Sequence, residues 1–102
     1  MKKKVTAESL IADLAAGAIV PLPEESWREL APHFKLVSDT PTGLGGVILL
    51  MRRPLPTGRK QGWALVEDSQ PGEKVVRPLA SEKEARALIA DRLAAYERMW
   101  DG

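Results

Sequence analysis

Val47-Ile48-Leu49-Leu50-Met51 is an unbroken apolar run, with Gly45-Gly46 before it and Arg52-Arg53-Pro54 after it. It is too short for a helix and apolar at both parities, so it reads as a central strand buried on two faces. Such a strand needs pairing on its edges and cover above and below. Either the N-terminal helices or a second subunit must supply the second cover.

The segments on either side supply that pairing. After a connection from Pro54 to Gly62, Trp63 to Asp68 makes the next strand, with Trp63 and Leu65 on one side and Ala64 and Val66 on the other. Ser69-Gln70-Pro71-Gly72 has turn chemistry, and Lys74 to Leu79 returns as a third strand, Pro78 implying an edge or a strand end. Upstream, His33 to Ser38 alternates imperfectly, with Phe34 and Leu36 on one face, and reads as an edge strand. The connection 39–46 is rich in turn residues.

Helices flank the strands. Ser81-Glu82-Lys83-Glu84 fits a capping box, and Ala85, Leu88, Ile89, Leu93, Tyr96 and Trp100 form one apolar stripe, predicting a long helix over 82–100. Thr6 caps a short helix over 7–16 that ends at Gly17. Ile19 and Val20 lead into Pro21-Leu22-Pro23, which is extended because each proline disfavours helix in the residue before it. Pro23 opens a second helix burying Trp27, Leu30 and Ala31, which Pro32 ends. The expected fold class is α+β: an antiparallel three- to four-stranded meander with N-terminal helices and a long C-terminal helix packed on it, in the order α-α-β-β-β-β-α. It occupies 1–102 as a single small domain, residues 1–5 forming a flexible basic tail.

Apolar residues make up 44% and charged residues 28%, so the chain has the material for a core and no composition of disorder. No cysteine is present, which excludes disulfides, thiolate metal sites and a cysteine nucleophile. The same absence leans toward a reducing compartment, and no run approaches a membrane span; the expected location is cytoplasmic. The net charge of +1 is unevenly placed: residues 30–66 sum to +4, and no acid lies between Asp39 and Glu67.

No motif suggests a catalytic residue, a cofactor or a metal. His33 is the sole histidine and has no partner set in the sequence that would make it a general base or a zinc ligand. Gly43-Leu44-Gly45-Gly46 feeds a strand, whereas phosphate-cradling loops feed a helix N-terminus. Glu67 and Asp68 are adjacent in a strand and point apart. Trp27 and Trp63 are expected in the core, with Trp100 exposed at a helix end.

The basic segment 52–60 stands out. Arg52, Arg53, Arg59 and Lys60 surround two prolines and Gly58, and arginine pairs grip phosphates or carboxylates bidentately. They are expected to project as the most positive patch of the surface, and with Trp100 they are the candidate partner-binding residues. The expectation is a non-enzymatic binding or accessory protein acting through a protein partner, as a homodimer. The alternative is nucleic-acid binding by the basic hairpin, since helix, three-stranded meander and long helix is an element order shared with double-stranded-RNA-binding domains. Ser81-Glu82-Lys83-Glu84, however, lacks the basic helix-start residues of that family. A small nuclease-like toxin is the third reading.

Overall fold

The computed structural model describes residues 5–42, 46–56, 61–70 and 72–101. Helix α1 (Ala7–Ala15) is followed by strand β1 (Val20–Pro23), helix α2 (Glu24–Leu30) and a single 3-10 turn, Ala31–His33. Strands β2 (Lys35–Pro41), β3 (Val47–Pro54), β4 (Gln61–Gln70) and β5 (Glu73–Leu79) precede the long helix α3 (Glu82–Asp101). The strands form one antiparallel sheet in the order β1-β5-β4-β3-β2.

The fold class is α+β as expected, but the sheet has five strands where three or four were anticipated. The missed strand is Val20-Pro21-Leu22-Pro23, which pairs Val20 with Val76 and Leu22 with Lys74. The element order is therefore α-β-α-β-β-β-β-α. Two prolines in four residues argue against a central strand, and β1 is not one: it is an edge, hydrogen-bonded on one side only. With helices on both faces of a five-stranded sheet, the molecule also departs from the element order of double-stranded-RNA-binding domains.

The doubly apolar strand sits where its composition demands. On one face Met51, Ala64, Val66, Val76 and Leu22 meet Leu10 and Leu14 of α1, Trp27 and Leu30 of α2, and Phe34, with Leu49 packed against them. On the other, Ile48, Leu50, Leu65 and Leu79 meet Ala85 and Ile89 of α3, with Trp63, Leu88, Leu93 and Tyr96 closing the margin. Both faces of β3 are thus covered by the chain's own helices, and no second subunit is required there.

The caps explain where the helices begin. Thr6 and Ser9 satisfy each other's backbone N–H groups, each at 3.1 Å. Gly17 takes the left-handed φ of 89° that ends α1. At α3 the Ser81 hydroxyl accepts from the Glu84 amide at 3.1 Å, and Glu82 pairs with Arg86 at 3.0 Å. Pro23 has no side chain with which to cap α2; the Glu24 amide instead donates to the Gly72 carbonyl at 2.8 Å, tying α2 to the β4–β5 turn. Among the described residues no helix is long and apolar enough to cross a membrane.

The edge strand before β3 corrects a second expectation. It begins after Phe34 and runs to Pro41, and Phe34 and Leu36 do not share an environment: Phe34 is buried against Trp27, whereas Leu36 is exposed. Leu36 stands opposite Met51, on the face where Phe34 packs, but at the edge beyond the cover of α1 and α2; a bulge between Leu36 and Ser38 then inserts Val37. Pro78 follows its expectation. β1 begins opposite Val76, so the last residues of β5 have no strand on that side among the described residues.

Candidate binding surface

The basic segment is built from strand residues. Arg52 and Arg53 are the last turns of pleat in β3, opposite Trp63 and Gly62 of β4, so they leave on opposite faces. Arg52 lies over the Trp63 ring, its guanidinium carbon 4.3 Å from the ring centroid, while its Nε donates to the Gly62 carbonyl at 3.3 Å. Arg53 crosses Gly62 and donates Nε to the Trp63 carbonyl at 3.0 Å. A Cβ on Gly62 would lie 2.9 Å from the Arg53 guanidinium carbon, so this glycine keeps open the path of that side chain.

Both arginines are half-buried. Burial holds the Arg53 guanidinium below the ordinary arginine pKa, and its Nη1 is buried with no hydrogen-bond partner among the described residues. Arg52 and Arg53, expected to project from the end of the 47–68 hairpin, are held in the ladder near that end, and each lies down on β4. Arg59 and Lys60 fall outside the described residues. Trp100 is in the last turn of α3, its side chain likewise outside the described part.

The remaining ionisable candidates are separately engaged. Glu67 pairs with Arg92 of α3 at 3.4 Å, and Asp68 makes an ion pair with Lys74 across to β5. Both border a cavity of about 150 Å³ with Thr42, Gly46 and Tyr96, but their carboxylates are held by different cations. His33 is exposed at the mouth of a groove of about 440 Å³ between α1 and Leu55-Pro56, with Glu8, Ile11 and Ala12 along its wall. A second groove, of about 420 Å³, runs between β5 and α3, where Arg77 faces Glu84 and Asp91 beside Ile19 and Leu88. Trp27 stands edge-on to Phe34 at 5.3 Å, a core contact as expected. Among the described residues no group of His, Asp and Glu is placed to hold a metal ion.

The surface that sequence reasoning missed is apolar. Leu36 is 52% exposed, and Val37 and Val47 are each 40% exposed. All three lie at the β2 margin of the sheet, Val47 being paired with Pro41 of β2. The helices pack chiefly over β1, β4 and β5, which leaves this margin open. The signal was present as two consecutive apolar residues, Leu36-Val37, in a strand with a single covered side.

The opposite margin is closed, and its hydrogen bonds show why. Within β1 the residues of one parity face β5, and Glu24, of the same parity as Val20 and Leu22, donates to Gly72 on that side. The outward nitrogens are then those of Pro21 and Pro23, which carry no hydrogen. Compared with known family models, with curated proteins and with solved structures, the chain matches none.

Proposed function

We propose that this is a non-enzymatic protein-binding module of the cytoplasm whose working surface is the open edge β2 with Leu36, Val37 and Val47. The observation that carries the reading is the coincidence of three exposed large aliphatic side chains with β2, an edge that has no strand on its outer side among the described residues. An edge strand offers a row of backbone donors and acceptors, and a partner strand adds to it with its side chains meeting the apolar margin. Leu36 and Val37 are adjacent and Val47 lies at the far end of the strand beside Pro41, so exposed aliphatic side chains run along the edge, as at interaction sites.

Nucleic-acid binding is the weaker alternative, because Arg52 and Arg53 already donate to the carbonyls of Gly62 and Trp63. Capture from native lysate by the tagged chain, with and without nuclease, separates the two. Protein binding predicts a complex that resists nuclease and salt and is lost in Leu36→Lys. Loss on nuclease treatment with retention in Leu36→Lys would sink it.

A further inference from the structure

We propose that the groove between β5 and α3 binds a free α,ω-diamino acid, the class to which lysine belongs. The site lies toward the β1 margin of the sheet and is independent of the reading of β2.

The fold leaves the space. Strand β1 begins at Val20, opposite Val76, so Arg77 to Leu79 of β5 have no strand beside them among the described residues. Ile19, in the connection that enters β1, and the first turns of α3 wall a groove of about 420 Å³ there. Small-molecule sites occupy about 300–1,000 Å³. Glu84, Leu88 and Asp91 recur at helical spacing, so one side of α3 borders the groove. Arg77 stands on the sheet face that α3 covers, its cross-strand partner being Leu65 of that core.

Charge decides the occupant. Among the described residues the half-buried Arg77 makes no ion pair with Glu84 or Asp91, and its Nε is buried without a hydrogen-bond partner. A buried donor left unmet is costly, and a ligand carboxylate supplies the acceptor in the bidentate form a guanidinium favours. Glu84 and Asp91 are exposed and two turns apart, about 10 Å along the helix axis. Carboxylates so placed can hold one ammonium each. Two carboxylates against one guanidinium leave the groove at −1, which a diamino acid, with two ammonium groups and one carboxylate, balances. Between the charges Ile19, 49% exposed, and the half-buried Leu88 offer aliphatic surface to a four-carbon stem. A monoamino acid leaves one carboxylate unmet. A diamine leaves Arg77 unmet and sets an ammonium beside it.

Isothermal titration calorimetry on the full chain, with L-lysine as titrant, tests this. Saturable binding at one site per chain is expected. Cadaverine, which lacks the carboxylate, should bind at least about tenfold more weakly, because it fails a half-buried guanidinium. Norleucine and Nα-acetyl-lysine, each short of one ammonium, should bind at least about threefold more weakly, since exposed carboxylates contribute less. Arg77→Gln should weaken lysine about tenfold and leave cadaverine no weaker, and Glu84→Gln and Asp91→Asn should each weaken lysine about threefold. Circular dichroism melts show which variants are folded, and should Arg77→Gln not fold, the ligand series decides alone. Leu36→Lys, at the far margin, should bind lysine as the parent does. Absence of saturable lysine binding at about 10 mM overturns the inference, as does binding that Arg77→Gln and Asp91→Asn both leave unchanged. Cadaverine or norleucine matching lysine overturns it too. So does Nα-acetyl-lysine matching lysine, which would make the occupant the C-terminal lysine of a chain and not the free amino acid.

Discussion

The two edges of this sheet solve the same problem in opposite ways. At one, β1 is four residues long, buries Leu22 and turns the nitrogens of Pro21 and Pro23 outward. At the other, β2 is seven residues long, has no proline before Pro41 and leaves Leu36 and Val37 in solvent. Edge strands are liabilities that natural proteins suppress. That one edge is suppressed so fully makes the openness of the other informative, since the chain carries the means to close an edge and uses it once.

The largest effect should separate the edges by stability. Leu22 is fully buried among Leu10, Leu14, Trp27 and Val76. Leu22→Ala should cost about 2–5 kcal/mol through lost transfer energy and a residual cavity. Leu36→Ala, at an exposed position, should move stability by no more than about 0.5 kcal/mol. Urea denaturation of the two variants checks the pair. Equal losses would mean that β2 is as much part of the core as β1, and the open-edge reading would fail.

Between these extremes lies the strand end shared by β3 and β4. Arg53→Glu discards a hydrogen bond to the Trp63 carbonyl and the packing across Gly62, and about 1–2 kcal/mol should be lost on thermal melting. Gly62→Ala should cost about 1 kcal/mol by pushing the Arg53 side chain aside. In an Arg53→Ala background that cost should largely vanish, because the two residues meet directly. Additive losses would show that the glycine matters for some other reason.

These edges also mark where the sequence was legible. Periodicity sufficed for α1, α3 and the three central strands, because an apolar residue in a central strand is buried whichever neighbour covers it. Strand β1 escaped because proline is penalised only on a hydrogen-bonded side, and which side is free depends on the finished sheet. Strand β2 was read as His33 to Ser38, short of its end, because Asp39-Thr40-Pro41 has turn chemistry locally and pairs with Leu49, Ile48 and Val47 only in the finished sheet. Arg52 and Arg53 were read as part of a projecting basic segment beside a connection that begins at Pro54, whereas pairing with Trp63 and Gly62 holds both in the ladder and carries the strand through Pro54. The apolar margin left only a faint local signature, the consecutive Leu36-Val37, since exposure of Leu36 is a property of the edge and not of the residue.

The smallest change in stability should bring the sharpest change in assembly. Pro21→Thr restores one outward N–H to β1 and places a β-branched residue in a strand, where it fits. Loss of the proline frees the unfolded chain, so about 0.5 kcal/mol of stability should be lost. The variant would then have an accepting edge on both sides of the sheet. A molecule with two open, non-equivalent edges can pair head to tail, and head-to-tail contacts that do not close make extended assemblies. Light scattering on Pro21→Thr should therefore show species larger than those of the parent chain, growing with concentration. Adding Val37→Lys to Pro21→Thr should remove the large species, since β2 is then blocked and a β1 edge alone can at most pair with itself. Growth that persists in the double variant would show that β2 is not the accepting edge.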